Sequence, residues 1–111
     1  MSILDIEVQG DGTVAVVALS GELDISAVGR VEEELRQVEA KGPQALVLDL
    51  RKLTFMDSSG LRLVLEADMR GRRDGRRFAI VPGPESVHRV FLIALLDKRL
   101  EFVDDPSHVT P

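Results

Sequence analysis

The chain has 111 residues, 44% hydrophobic and 30% charged, with a formal net charge of −5 at pH 7 and no cysteine. That composition fits one soluble domain able to bury roughly two-thirds of its unfolded surface. It excludes disulfides and thiolate metal sites, fits a reducing cytosol, and argues against nonspecific nucleic-acid binding as the main role.

ILDIEVQ, from Ile3, alternates apolar and polar, with Leu4, Ile6 and Val8 on one face, and predicts a half-buried strand. Asp11-Gly12 is a turn signal, and VAVVALSG is a second, more buried strand, so the two form a hairpin. GELDISAVGRVEEELRQVEAKGP changes period: Val28, Val31, Leu35 and Val38 recur at helical spacing. Asp24 or Ser26 is the candidate cap, and Gly42-Pro43 stops the helix. QALVLDL is apolar apart from its ends, as expected of a strand covered on both faces.

TFMDSSGLRLVLEADMR then turns from strand to helix at Asp57-Ser58-Ser59-Gly60. The helix is expected to bury Leu61, Val64, Leu65 and Met69, and to carry Arg62, Glu66 and Arg70 as a solvated ion-pair ladder. RRFAIVPG reads as a strand, and PESVHRVFLIALL as a helix with Val87, Val90, Phe91, Ala94 and Leu95 inward. RLEFVD is a short last strand. Residues 104–111 read as a loose tail beyond a core spanning about residues 3–103.

This order implies an α/β fold in a single domain over residues 1–111. About four to five strands form one mixed sheet, with about three to four helices mainly on one face. In such sheets functional groups sit past the carboxyl ends of parallel strands. Both SGELD and Asp57-Ser58-Ser59-Gly60 follow a strand and open a helix, so they can share one sheet end.

The first turn of a helix has unpaired N–H groups and the positive end of the backbone dipole. Asp57 or Ser58 capping the helix, with Gly60 allowing close packing, accounts for the motif structurally. The same physics admits a second role. A phosphoryl group on an exposed Ser58 adds about −1.5 to −2 charges beside Asp57 and repels an acidic partner without disturbing the fold.

LTFMDSSGLRLVL, LSGELD and VHRVFLIALLDKRLEF, spread from about Val14 to Phe102, closely resemble the STAS-domain anti-sigma factor antagonists. The resemblance implies a STAS fold and a bacterial stress-response regulator of sigma-factor-dependent transcription. The unphosphorylated form would bind an ATP-using serine-kinase anti-sigma factor and free the sigma factor. That kinase would phosphorylate Ser58, a metal-dependent phosphatase would reverse the mark, and Glu22 and Asp24 would help engage the kinase. Asp57, Ser59 and Gly60 are then the phosphosite neighbours. Ala94 and Leu95 depart from the family, where many relatives carry a hydroxyl residue and a glycine before the leucine. Arg70, Arg72, Arg73, Arg76 and Arg77 form a denser basic run than expected; cations near a helix C-terminus are ordinary, and a docking patch for an acidic partner is the alternative.

A serine hydrolase reading lacks a G-x-S-x-G elbow, and His88 and His108 are the only histidines. No enzymatic activity, cofactor or resident metal is expected, and no run is long enough to enter a membrane. The alternative function is a STAS subunit of a transporter or stress-signalling assembly without a phosphoswitch. A cytoplasmic monomer or weak dimer is expected.

Overall fold

The alternating N-terminal segment forms β1 (Leu4–Gly10), which turns at Asp11-Gly12 and returns antiparallel as β2 (Val14–Leu23). The Asp11 carboxylate organises the turn by accepting from the Thr13 amide, the Thr13 hydroxyl and the Val14 amide. This computed structural model describes residues 3–110. The other elements are α1 (Val28–Ala40), β3 (Ala45–Met56), α2 (Ser58–Asp74), β4 (Arg77–Val81), α3 (Glu85–Ile93) and a 3-10 turn at Pro106–His108. The four strands lie in the order β1-β2-β3-β4, with β2–β3 and β3–β4 parallel. A mixed sheet with three α-helices is therefore the architecture.

The main core joins the sheet to the helices. Val31, Leu35 and Val38 of α1 and Leu63, Val64 and Ala67 of α2 meet Val17, Leu19, Leu46, Leu48 and Leu50 of the strands. Residues Ala45–Leu50 are buried without interruption, because β3 is central and its second face is also covered. That second cover is the C-terminal segment. Val109 is 5% exposed and packs with Ala45, Val47, Ala79 and Val81. Arg77 donates to the Thr110 carbonyl, and Arg51 lies 3.7 Å from Asp105. The expectation of a loose tail fails over residues 104–110, since one apolar side chain closes a face that helices leave open. Pro111 lies outside the described residues, as do Met1 and Ser2.

Other departures have local causes. RLEFVD contributes a single parallel bridge, Ile80 with Phe102, rather than a strand. Val8 is exposed at the edge strand β1. In α2, Leu61 and Leu65 are only partly buried and Met69 is exposed, while Leu63, Ala67, Asp68 and Arg70 are buried. The inner stripe of α2 is thus rotated from the one expected, because the helix packs on α1 as well as on the sheet. Arg70 leaves the supposed solvent ladder and inserts between α1 and α2, bonding Glu39 and Glu32. Arg62 and Glu66 alone remain as the exposed pair, at 3.7 Å. In α3, Val87 and Phe91 are buried, whereas Ala94 and Leu95 lie beyond the helix and face water.

Candidate functional site

The site grows from the parallel pairing of β2 with β3. Leu23 and Met56 are register partners at the last position of both strands, and Glu22 faces Phe55 one step earlier. The Asp57 amide donates to the Leu23 carbonyl at 3.4 Å. Asp24 and Asp57 therefore leave the same sheet end side by side, and the two loops expected to share that end do so.

Each loop is closed by its own aspartate. The Asp24 carboxylate accepts from the Ser26 amide at 3.0 Å and the Ser26 hydroxyl at 2.5 Å. Those bonds hold its carboxyl below the ordinary 3.8, chiefly through the Ser26 hydroxyl. Asp24 closes the turn before α1 rather than capping it; Ala27 is the helix cap and offers no side-chain bond. Asp57 is the true cap of α2, accepting from the Ser59 amide at 2.9 Å and the Gly60 amide at 3.4 Å. It also accepts from the Ser59 hydroxyl in a short hydrogen bond.

The two serines are thereby distinguished. Ser59 is partly buried and its hydroxyl is tied to Asp57. Ser58 is exposed at the first position of α2, and Asp57 is occupied by other donors. Gly60 seats the helix end against the strands: a Cβ there would lie 2.6 Å from Met56 Cγ and 3.0 Å from Leu23 Cδ2. The structure thus gathers Glu22, Asp24, Asp57, Ser58, Ser59 and Gly60 at one end.

Sequence reasoning missed two neighbours. Ile25 is 74% exposed and borders, with Ser58, an open groove between α1 and α2. It continues the α1 apolar spacing backwards by three residues, but the helix begins only at Val28, so the side chain points to water. Arg62, one turn beyond Ser58, lines the same groove with an exposed side chain. Its i, i+4 spacing from Ser58 was the available signal. His88 packs on Phe91 and Phe102, with ring centroids 5.9 and 4.9 Å away, and His108 sits in the C-terminal 3-10 turn. Neither is hydrogen-bonded to a serine among the described residues. Those residues also contain no cluster of potential metal ligands and no helix long and apolar enough to cross a membrane.

Residues 5–107 match the STAS domain family. The chain belongs to that family. Among curated STAS relatives, it is 33% identical over 85 residues to the anti-sigma-F factor antagonist RsfB of Mycobacterium tuberculosis, covering 77% of this chain and 69% of RsfB. It is 31% identical over 103 residues to the anti-sigma F factor antagonist of Paenibacillus polymyxa, covering 92% and 88%. An anti-sigma factor antagonist from Mycobacterium paratuberculosis superposes with a TM-score of 0.85 at 26% identity, over 95% of this chain and 89% of that one.

Proposed function

We propose that this STAS protein is an anti-sigma factor antagonist. Its unphosphorylated form docks a serine-kinase anti-sigma factor through the Glu22–Asp24 and Asp57–Gly60 end of the sheet, and phosphorylation of Ser58 switches docking off. The observation carrying this reading is the inequality of the two serines: Ser58 is exposed at the helix mouth, while the Ser59 hydroxyl is bound to Asp57. The relatives named anti-sigma factor antagonist support the biological role.

The chain is then the substrate of the reaction rather than its catalyst. The Ser58 Oγ attacks the γ-phosphorus of ATP held by the kinase. A new O–P bond forms, the bond to ADP breaks, and the hydroxyl proton passes to a base of the kinase. The product carries about −1.5 to −2 charges next to Asp57. Arg62 can turn from Glu66 toward it, since the present 3.7 Å contact is exposed and weak. The helix scaffold is already capped by Asp57, so the mark changes the face and not the fold. Ile25, exposed beside Ser58, supplies an apolar contact for the partner to cover while Ser58 is unmodified. A phosphatase would restore the hydroxyl by hydrolysis.

The test is incubation with ATP and the anti-sigma kinase encoded in the same genome, followed by peptide mass mapping. Phosphate on Ser58, absent in Ser58→Ala, is expected. Phosphate confined to Ser59 would transfer the role to the bonded hydroxyl and contradict the assignment.

A further inference from the structure

The arginines between residues 70 and 77 take no part in the docking end. Arg70 is engaged by Glu32 and Glu39, and Arg73 by Asp74. Arg72, Arg76 and Arg77 instead converge with Lys98 and Arg99 on a shallow pocket formed by the end of α2, the start of β4 and the turn after α3. Two carboxylates share it: Asp68, 2.9 Å from Arg72, and Glu101, paired with Arg77. Arg72 and Arg77 are thus matched, and Arg76 lies beside the carboxylates of Glu39 and Asp74, which leaves two cations of the pocket in excess on a chain whose net charge is −5. Lys98 and Arg99 have no ion pair among the described residues. Arg76 Nη2 is buried without a hydrogen bond, 3.7 Å from oxygens of Glu39 and Asp74.

Immediately before Lys98 in the chain, α3 ends in an apolar knob. Ile93 is 75% and Leu95 82% exposed, and Leu92 stands beside them. Leu95 adopts φ +59, and the next amide, Leu96, donates back to the Phe91 carbonyl at 2.9 Å. This is the helix-ending geometry that glycine adopts freely and leucine does not. The backbone is strained at a residue whose side chain is almost wholly in water, so packing gives no reason for the leucine.

We propose that this end of α2 and α3 is a second docking surface, fitted to an acidic segment of a partner protein that carries aliphatic side chains among its carboxylates. The aliphatic groups cover Leu92, Ile93 and Leu95, and the carboxylates meet Lys98 and Arg99. Ser58 and Arg72 lie fourteen residues apart on α2, about 21 Å along its axis, well beyond a screening length of about 8 Å. The second surface therefore works independently of the charge at Ser58.

The probe is a fluorescein-labelled peptide of glutamates and leucines, compared with one in which lysines replace the glutamates. Binding is followed by anisotropy and by amide chemical-shift mapping on the full chain. The glutamate peptide should shift residues 89–99 and bind more weakly as salt rises. Binding should fall about tenfold in Lys98→Glu/Arg99→Glu, and also in Lys98→Gln/Arg99→Gln, while remaining unchanged in Ser58→Asp. Equal binding of the lysine peptide, shifts confined to the Ser58 end, or no binding would overturn the proposal. So would charge-dependent binding to phosphatidylcholine–phosphatidylglycerol vesicles without peptide binding, or self-association through this face.

Discussion

Truncating Arg70 probes the contact between α1 and α2. The side chain is only 7% exposed, and its guanidinium donates to both oxygens of Glu39, at 2.8 and 3.0 Å, and to Glu32 at 2.8 Å. In Arg70→Ala the Glu39 carboxylate, itself 10% exposed, keeps its place but loses its main partner. Breaking one side of a buried pair costs about 3–5 kcal/mol. Arg76 Nη2, 3.7 Å from Glu39, takes up part of the pairing, and Glu32, 25% exposed, relaxes into water. The expected loss is therefore at the low end, about 3 kcal/mol. At about 4 °C per kcal/mol for a domain of this size, Tm falls by about 12 °C. Arg70→Met with Glu39→Leu removes both charges while keeping volume, and should return to within about 1 kcal/mol of the parent chain. Urea and thermal unfolding followed by circular dichroism measure both. A loss below about 0.5 kcal/mol in Arg70→Ala would refute the buried network and place Arg70 on a solvated face.

Leu95→Gly should be more stable than Leu95→Ala by about 1 kcal/mol in the same unfolding assay, because glycine alone accepts the left-handed backbone without strain; equal stability would contradict the strain. Gly60→Ala should lose about 1–3 kcal/mol, since its Cβ meets Met56 Cγ at 2.6 Å, and a neutral result would mean the helix end is not seated on the strands. Acid should destabilise the fold. The Thr13 hydroxyl, with neighbouring amides, holds the Asp11 carboxyl down to about 2. Arg77 lowers that of Glu101, and Asp49 is lowered by Arg51 although burial pushes the other way. These folded-state values lie below the ordinary ones, so unfolding takes up protons. Their stabilisation is full above about pH 5 and is lost as pH falls through the folded-state values. Tm against pH should bend downward below about 4, less so in Asp11→Asn; a rise on acidification would contradict the ion pairing.

The fold was legible because its signals are local. The alternation of β1, the unbroken apolar run of β3, the turn at Asp11-Gly12 and the stop at Gly42-Pro43 each need only a few neighbouring residues. The co-location of Glu22, Asp24 and Asp57–Gly60 followed from the rule for parallel strand ends. What escaped depends on which partner an element meets. Helical spacing fixes an apolar stripe but not a second packing direction, so Arg70 was read as solvated when α1 in fact covers it. The role of Val109 is set by an open sheet face elsewhere in the chain. The resemblance already pointed to Ser58; that Asp57 holds the Ser59 hydroxyl and leaves Ser58 exposed is information the motif alone does not carry. Ala94 and Leu95 read as a departure from the family; the structure turns that departure into a strained helix end.

The central claim is that charge at Ser58 abolishes docking while the scaffold stays put. Its most direct test is calorimetric titration of the ATP-bound anti-sigma kinase with the unmodified chain and with the stoichiometrically Ser58-phosphorylated chain, alongside the Tm of each. At least a hundredfold loss of affinity, about 2.7 kcal/mol, with Tm unchanged within about 2 °C, is the expected result. Equal affinity of the two forms, or a loss of binding that tracks a collapse in Tm, would contradict it.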